Sequence, residues 1–151
     1  MKKVKSGFTM IELVFVIVVL GILAAIAVPK FAATRTDAQI AKGRSDVASI
    51  RSAIINERQS RLITGSHTWI SKLHSSSSKY FDSNGSTSNS LLMYGVVPKD
   101  ADGHWHGAAA SGTKWIYKYK VGTTDVTFTY DPSKGTFDCD HTKSLCKKLT
   151  E

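Results

Sequence analysis

The sequence predicts an α+β fold in which a long N-terminal α-helix, transmembrane in its first half, packs by its second half on a small antiparallel β-sheet head. Residues 13–28 contain no polar side chain, residues 30–61 repeat apolar side chains every three or four positions, and residues 114–130 alternate apolar and polar side chains. The last two periods are those of an amphipathic helix and a half-buried strand. We therefore expect four segments: a basic leader (1–7), a transmembrane helix (8–29), an amphipathic helix (30–61) and a head with a Ser-rich connector and the sheet (62–151).

Composition limits the classes of protein to which the chain can belong. Its 151 residues are 42% hydrophobic and 21% charged, which fits one modest domain and excludes a multidomain enzyme, a collagen-like repeat and a wholly disordered chain. The net charge of +8 comes mainly from the leader and residues 30–61, whereas residues 62–151 are only mildly basic. This distribution gives little support to nucleic-acid binding.

The N-terminal apolar segment is long enough to cross a membrane. Residues 8–28 form a 21-residue run in which only Thr9 and Glu12 are polar. At about 1.5 Å per residue, a helix of this length spans a hydrocarbon core of about 30 Å. The basic leader favours a cytoplasmic N-terminus, which predicts that the chain crosses the membrane once with its C-terminal head on the opposite side. The alternative is an ordinary secretory signal peptide that is cut after Ala27.

Glu12 distinguishes between these alternatives. A carboxylate within a membrane-spanning segment costs about 3 kcal/mol, so it persists where it has a partner or a function. A signal peptide that is cut off and discarded has no use for such a group. Glu12 therefore favours an apolar segment that the mature protein keeps.

The residues around Glu12 also resemble a known motif. Residues 5–13 read KSGFTMIEL, which is similar to the cleavage and methylation motif of type IV prepilins and of the pseudopilins of type II secretion. The resemblance implies that a prepilin peptidase cuts between Gly7 and Phe8 and methylates the new amine of Phe8. It also implies that Glu12 pairs with the N-terminus of a neighbouring subunit during filament assembly.

The same resemblance predicts the function and the partners. The chain would be a structural subunit, not an enzyme, of a type II secretion pseudopilus or a type IV pilus-like filament that spans the periplasm or extends outside the cell. Its partners would be pilin subunits of the same or other kinds, the prepilin peptidase, an inner-membrane assembly platform and membrane lipid. Two alternatives stay open: a competence or adhesive type IV pilin that contacts DNA or surfaces, and a secreted binding domain with an ordinary signal peptide.

The helix beyond the membrane is predicted from a one-sided apolar stripe. Gly21 and Pro29 are candidate helix breakers, which predicts either a simple kink or a stretch that melts in a filament. From residue 30 onward, polar residues such as Arg44 and Arg51 lie off the stripe. We expect the stripe to pack partly on the chain's own sheet and partly on neighbouring subunits. Its members are Ala33, Ile40, Gly43, Val47, Ile50 and Ile54.

The head is predicted to contain a connector and three or four antiparallel strands. Residues 66–90 are rich in Ser, Thr, Asn and Gly, and we expect a flexible linker with one short helical or packed turn around Trp69, Ile70 and Leu73. Strand patterns place aromatic side chains on one face, which we expect to cover the helix. The predicted strands are 91–97, 114–121 and 126–130, and a turn at 131–135 leads into Thr136 and Phe137.

Two cysteines near the C-terminus predict a disulfide. Cys139 and Cys146 are too few for a four-ligand zinc site, and the six residues between them allow a short closed loop in an oxidising compartment. Two reduced thiols are the alternative. The family resemblance adds that pilins commonly carry a C-terminal disulfide loop, although it is usually much longer in adhesive major pilins.

The remaining motifs predict neither an enzyme nor a cofactor. We find no phosphate-binding glycine loop, nucleophile elbow or paired catalytic carboxylates in the sequence. His104 and His106 offer two imidazoles, but no third ligand is fixed by the spacing, so we expect an exposed glycine-rich turn and no metal. If a filament tip contacted DNA, its basic residues would be Lys143, Lys147 and Lys148.

Overall fold

The computed structural model describes residues 7–84 and 90–151, without the side chains of residues 29, 32 and 33. Most of the basic leader, the Gly85-Ser86 part of the connector and the side chain of Ala33 therefore lie outside the described residues. The chain divides into two compact units, Met1–Asp37 and Ala38–Glu151. The predicted α+β class is confirmed. The elements are α1 (Met10–Ile63), β1 (Trp105–Ser111), β2 (Lys114–Val121), β3 (Thr124–Asp131), β4 (Thr136–Cys139) and α2 (Ser144–Thr150).

The first unit contains the N-terminal part of α1. Thr9 caps this helix, because its Oγ1 accepts a hydrogen bond from the N–H of Glu12 at 3.3 Å. The helix then continues through Gly21 and Pro29 without interruption. Neither residue ends the helix in this structure, and their role as helix breakers in a filament stays a prediction.

In the second unit, α1 presents the predicted apolar stripe to the core. The side chains of Ile40, Val47, Ile50 and Ile54 are buried, as the helical spacing predicts. Gly43 lies on the same stripe, where its lack of a side chain lets the sheet approach closely. A Cβ added there would lie 2.5 Å from Cε1 of Tyr119.

Hydrogen bonds from the head fix the register of the helix on the sheet. The Tyr119 hydroxyl donates to the carbonyl of Gln39 at 2.8 Å, and the Trp105 indole N–H donates to the Asp46 carboxylate at 3.1 Å. Burial raises the pKa of Asp46, while its hydrogen bond to Trp105 opposes that shift. Buried aromatic side chains thus reach polar groups on α1 without leaving unpaired atoms.

The sheet is antiparallel throughout, with the strand order β1-β2-β3-β4. The predicted strand at 114–121 coincides with β2, and the predicted turn at 131–135 joins β3 to β4. Tyr117 and Tyr119 of β2 are fully buried, whereas Lys118 lies on the opposite face. The aromatic rings therefore belong to the core, as their alternation indicates.

The expected glycine-rich turn is present at Asp102 and Gly103, where Gly103 has a φ of +75°. It leads directly into strand β1, which was not predicted and which contains His106. Trp105, between the two histidines, is fully buried. The strand contains one extra residue relative to β2 between His106 and Ala109, and Gly107 in this bulge has a φ of +63°. This irregularity hides the alternation that would identify a strand in the sequence.

The strand predicted at 91–97 is wrong. Only Val96 forms a bridge there, with Tyr80, and Met93 and Tyr94 are exposed. An apolar run alone does not distinguish a strand from an exposed loop, because it carries no periodicity. The apolar residues of this segment therefore do not build the sheet.

The connector contributes more to the core than a flexible linker would. Ile70 and Leu73 are buried in a packed, non-helical segment, which confirms one of the two expected forms of this turn. Tyr80 and Phe81 further along are also buried, although the sequence analysis did not select them. These four side chains therefore belong to the same apolar core as the sheet.

The predicted disulfide is present between Cys139, at the end of β4, and Cys146 in α2, with their Cα atoms 5.8 Å apart. Cys146 and Leu149 are fully buried. The short helix α2, which the sequence analysis did not predict, is thus joined covalently to the sheet on one side and packed against the core on the other.

Replacing Gly43 by Ala is expected to destabilise the head, although Ala is the better helix former. Relief of the glycine's helix penalty contributes about 1 kcal/mol, whereas the new methyl group overlaps Tyr119 and Leu149 and costs about 1 to 3 kcal/mol. Thermal unfolding of the full chain in detergent measures the difference. The control is Ser45→Ala on the exposed face of α1. A Gly43→Ala protein more stable than this control would contradict the close packing.

Removal of the disulfide by Cys139→Ser with Cys146→Ser is expected to lower the stability of the head by about 2 to 3 kcal/mol, because the unfolded chain gains loop entropy. This corresponds to a fall of about 10 °C in Tm. Reductant should produce a similar fall in the wild-type protein and none in the double variant. Equal Tm values for the oxidised wild-type protein and the double variant would contradict a stabilising bond.

Candidate functional site: the N-terminal segment

The peptide bond between Gly7 and Phe8 lies outside regular secondary structure. Both residues precede α1, which begins at Met10, and both are exposed. No neighbouring atom lies within 4 Å of the position that a Cβ of Gly7 would occupy. A protease can therefore approach the backbone at this bond without unwinding the helix, and glycine removes a side chain from the path of approach.

Glu12 lies in the first turn of α1, four residues beyond Phe8. The positive end of the helix dipole and the exposed N–H groups of this turn favour a negative charge there. Thr9 and Glu12 also occupy the two positions of a capping box, since the Thr9 hydroxyl accepts the N–H of Glu12. The sequence analysis found Glu12 but missed the capping role of Thr9, which the Thr-x-x-Glu spacing indicates.

The segment that follows Glu12 has the length and composition of a membrane span. Met10–Val28 comprises 19 residues with a mean hydropathy of 3.0, and none of this window is buried within the protein. Large apolar side chains are exposed all around this part of the helix. The apolar surface therefore differs from that of α1 in the second unit, where the apolar side chains form a stripe on one side. A helix with this surface requires an apolar environment from outside its own chain.

The two histidines considered as metal ligands are engaged separately. His106 Nε2 lies 2.9 Å from Asp125 Oδ1, whereas His104 Nδ1 lies 3.0 Å from the carbonyl of Asp102. Among the described residues, the group of ligand atoms close enough for a metal is formed by Asp138, Cys139 and Cys146. Its two sulfurs are bonded to each other, so they offer no thiolate to a metal or to a nucleophilic reaction.

The three lysines considered for DNA contact are exposed at and within α2. Lys143 precedes the helix and Lys147 lies one turn later, which brings their side chains to one side. The Lys148 carbonyl accepts hydrogen bonds from Arg44, at 2.8 Å from Nη2, so this end of α2 is held by α1. DNA binding by these lysines stays a prediction.

Comparisons with known proteins place the similarity in the N-terminal third. Residues 2–28 match the family model described as the prokaryotic N-terminal methylation motif. The type IV major fimbrial protein FimA of Dichelobacter nodosus is 41% identical over 54 residues, which cover 36% of this chain and 35% of FimA. The type II secretion system core protein G of Pseudomonas aeruginosa is 38% identical over 53 residues, which cover 35% of this chain and 37% of protein G.

A third relative is the type IV narrow pilus major component PilA5 of Thermus thermophilus, which is 51% identical over 48 residues, covering 32% of this chain and 41% of PilA5. The chain thus spans little more than a third of the length of the curated relatives that it matches. No solved structure matches the chain. These relatives are named as pilus, fimbrial or secretion-system proteins, which confirms the predicted resemblance: in its N-terminal third, the chain carries the segment shared by type IV pilins and type II secretion pseudopilins.

Proposed function

We propose that this chain is a structural subunit of a type IV pilus-like filament or a type II secretion pseudopilus. The precursor lies in the inner membrane with its head in the periplasm. Prepilin peptidase cuts between Gly7 and Phe8 and methylates Phe8, and the subunit then enters a filament through α1. An assembly platform in the membrane and further pilin subunits are its partners.

The position of Glu12 is the observation that carries this proposal. Its carboxylate stands at one end of a 19-residue apolar span. Within the part of the chain that the structure describes, no cation pairs with this carboxylate. A carboxylate moved into an apolar environment needs a compensating positive charge. Cleavage before Phe8 creates such a charge, because the new amine is protonated and stays so after methylation.

The amine of Phe8 and the carboxylate of Glu12 are also complementary in a more specific way. A positive amine at the N-terminus of a helix opposes the helix dipole, whereas a carboxylate there is favoured by it. A neighbouring subunit that brings its Glu12 to this amine therefore relieves an unfavourable charge on one helix and gains a partner for the carboxylate on the other. The pairing fixes the axial position of one helix relative to the next.

The disulfide and the basic leader both fit a location of the head outside the cytoplasm. The Cys139–Cys146 disulfide persists in an oxidising compartment such as the periplasm or the cell exterior. The basic leader precedes the apolar span, which favours a cytoplasmic N-terminus and hence an exported head. Both features support an orientation in which α1 crosses the inner membrane once.

The N-terminal segment is common to relatives from type IV pili and from type II secretion systems, so it does not distinguish between the two. The phenotype of a deletion strain does. Deletion of the gene from its host abolishes surface filaments if the chain is a pilus subunit, and it abolishes export of secreted proteins if the chain is a pseudopilin. Complementation by the wild-type chain restores the same activity. A deletion strain that retains both activities would contradict the proposal.

Two substitutions of Glu12 separate the effect of its charge from that of its polar side chain. Glu12→Gln keeps the length, the polar oxygen and the Thr9 cap, but it removes the charge. Glu12→Ala removes both the charge and the polar side chain, whereas the backbone N–H of residue 12 that Thr9 caps stays in both variants. We expect both variants to be cleaved at Gly7/Phe8 and both to be lost from filaments by at least tenfold, because the missing charge is what assembly requires. Immunoblots of membrane and sheared-filament fractions measure processing and incorporation.

The matched control for these variants is Thr9→Ala, which removes the capping hydroxyl and leaves the carboxylate. We expect this variant to enter filaments, since the helix is long and loss of a cap costs about 1 kcal/mol. Wild-type incorporation of Glu12→Gln together with failure of Thr9→Ala would show that assembly requires the Thr9 cap and not the charge of Glu12.

A further inference from the structure

A buried histidine joins the connector to the sheet. His74 is only 7% exposed, and its ring is surrounded by the rings of Trp115 and Tyr117 from β2 and of Tyr80 from the connector itself. The distances between ring centroids are 4.8 Å to Trp115, 5.6 Å to Tyr117 and 5.8 Å to Tyr80. Such a site favours a neutral imidazole, because burial removes the hydration that a charged ring requires.

The hydrogen bond of His74 fixes which nitrogen carries the proton. Nδ1 lies 2.8 Å from the Tyr117 hydroxyl, which lies in the buried core. The hydroxyl has one proton to donate, and Nδ1 is the acceptor within reach. His74 is therefore the tautomer with its proton on Nε2, and Tyr117 is the donor.

Protonation of His74 breaks this arrangement. In the imidazolium both ring nitrogens are donors, so Nδ1–H would face a hydroxyl that needs to donate its own proton. Tyr117 is fully buried, which leaves its displaced proton without water as an acceptor. An unsatisfied buried donor and a buried charge both oppose the closed connector.

The charged groups around His74 do not compensate for this effect. Lys72, on the same connector, lies over the Trp115 ring at 5.3 Å and repels a positive imidazole. Asp82 attracts it, but this carboxylate already accepts hydrogen bonds from the N–H and hydroxyl of Ser75, at 2.8 and 2.6 Å. The groups that face the ring from β2 are Trp115 and Tyr117, which carry no charge at neutral pH. Burial therefore lowers the pKa of His74 below its ordinary value of 6.5, with Lys72 adding to the shift.

The rest of the connector has its own anchors, which include a pair of backbone hydrogen bonds of 2.8 Å between Tyr80 and Val96. The Tyr80 hydroxyl accepts the N–H of Ala108 at 2.9 Å, which satisfies a donor freed by the β1 bulge. Phe81 is buried with a φ of +57°, a conformation that costs a residue with a side chain about 1 kcal/mol or more. Packing against Trp105, Tyr117 and Phe137 must hold Phe81 in this state, so the closed connector carries a backbone cost that its contacts offset.

We propose that His74 is an acid-sensitive latch, in which protonation of the imidazole releases residues 70–84 from β2 while β2, β3 and β4 stay paired. The direction of the pH effect follows from the difference in proton binding between the open and closed connector. In the open connector His74 is exposed and has its ordinary pKa of 6.5, whereas in the closed connector its pKa is lower. The closed state is therefore fully favoured above about pH 6.5 and is progressively lost as the pH falls below that value.

Hydrogen exchange of the full chain in detergent micelles tests the latch. After correction for intrinsic exchange rates, opening of peptides within residues 70–84 is expected to increase by up to about tenfold for each pH unit from 6.5 down to the lowered pKa of His74. Peptides from β2 and β3 should show no comparable change. The variant His74→Asn keeps an acceptor for the Tyr117 hydroxyl but does not titrate, so its connector should exchange independently of pH.

His67→Asn is the matched control, because His67 belongs to the same segment but is exposed. It should retain the acid response of the wild-type protein. A pH response that survives in His74→Asn, or that disappears in His67→Asn, would overturn the proposal. If His74→Asn does not fold, ¹⁵N-detected titration of the wild-type His74 imidazole decides. The latch requires His74 to titrate below 6.5 and to carry its neutral proton on Nε2, and titration at or above 6.5 would refute it.

Discussion

The apolar surface around the first part of α1 is the constraint on which this protein depends. The backbone hydrogen bonds of Met10–Val28 are satisfied within the helix, but the side chains of this segment are exposed on every side. Burying them is worth roughly 25 cal/mol per Å², so the segment requires an apolar environment from outside its own chain. In the proposed function, lipid supplies that environment before assembly and other helices supply it afterwards. The one polar exception, Glu12, is then the group that needs a specific partner. The proposed membrane helix and the proposed filament contact therefore depend on the same surface.

In the head, the small sheet needs other elements to bury its apolar face. The stripe on α1 covers one face of the sheet, and Gly43 permits the close approach of Tyr119. The connector adds Phe81 and Tyr80 to the core, and the disulfide holds α2 against it. Polar atoms of the buried aromatics are satisfied by α1, the connector and the β1 bulge, so the core is both aromatic and hydrogen-bonded.

Periodicity determined which parts of this structure the sequence predicts. The stripe on α1 and strand β2 were predicted because their apolar residues recur with the period of a helix or a strand. Strand β1 was missed because Gly107 introduces a bulge, and the false strand at 91–97 arose from hydrophobicity without alternation. The burial of Tyr80 and His74 is set by tertiary packing of a Ser-rich segment, which local composition does not record. For the candidate site, the motif at Gly7, Phe8 and Glu12 is local and was found, whereas the cap by Thr9 was overlooked.

The most direct test of the central claim is mass spectrometry of the N-terminal peptide of the mature protein, taken from membranes of the native host. The account predicts a peptide that begins with N-methylated Phe8, because the apolar helix and Glu12 are kept for assembly. A mature N-terminus at Val28 would contradict it, since the apolar segment would then be a discarded signal peptide and the head a separate exported domain.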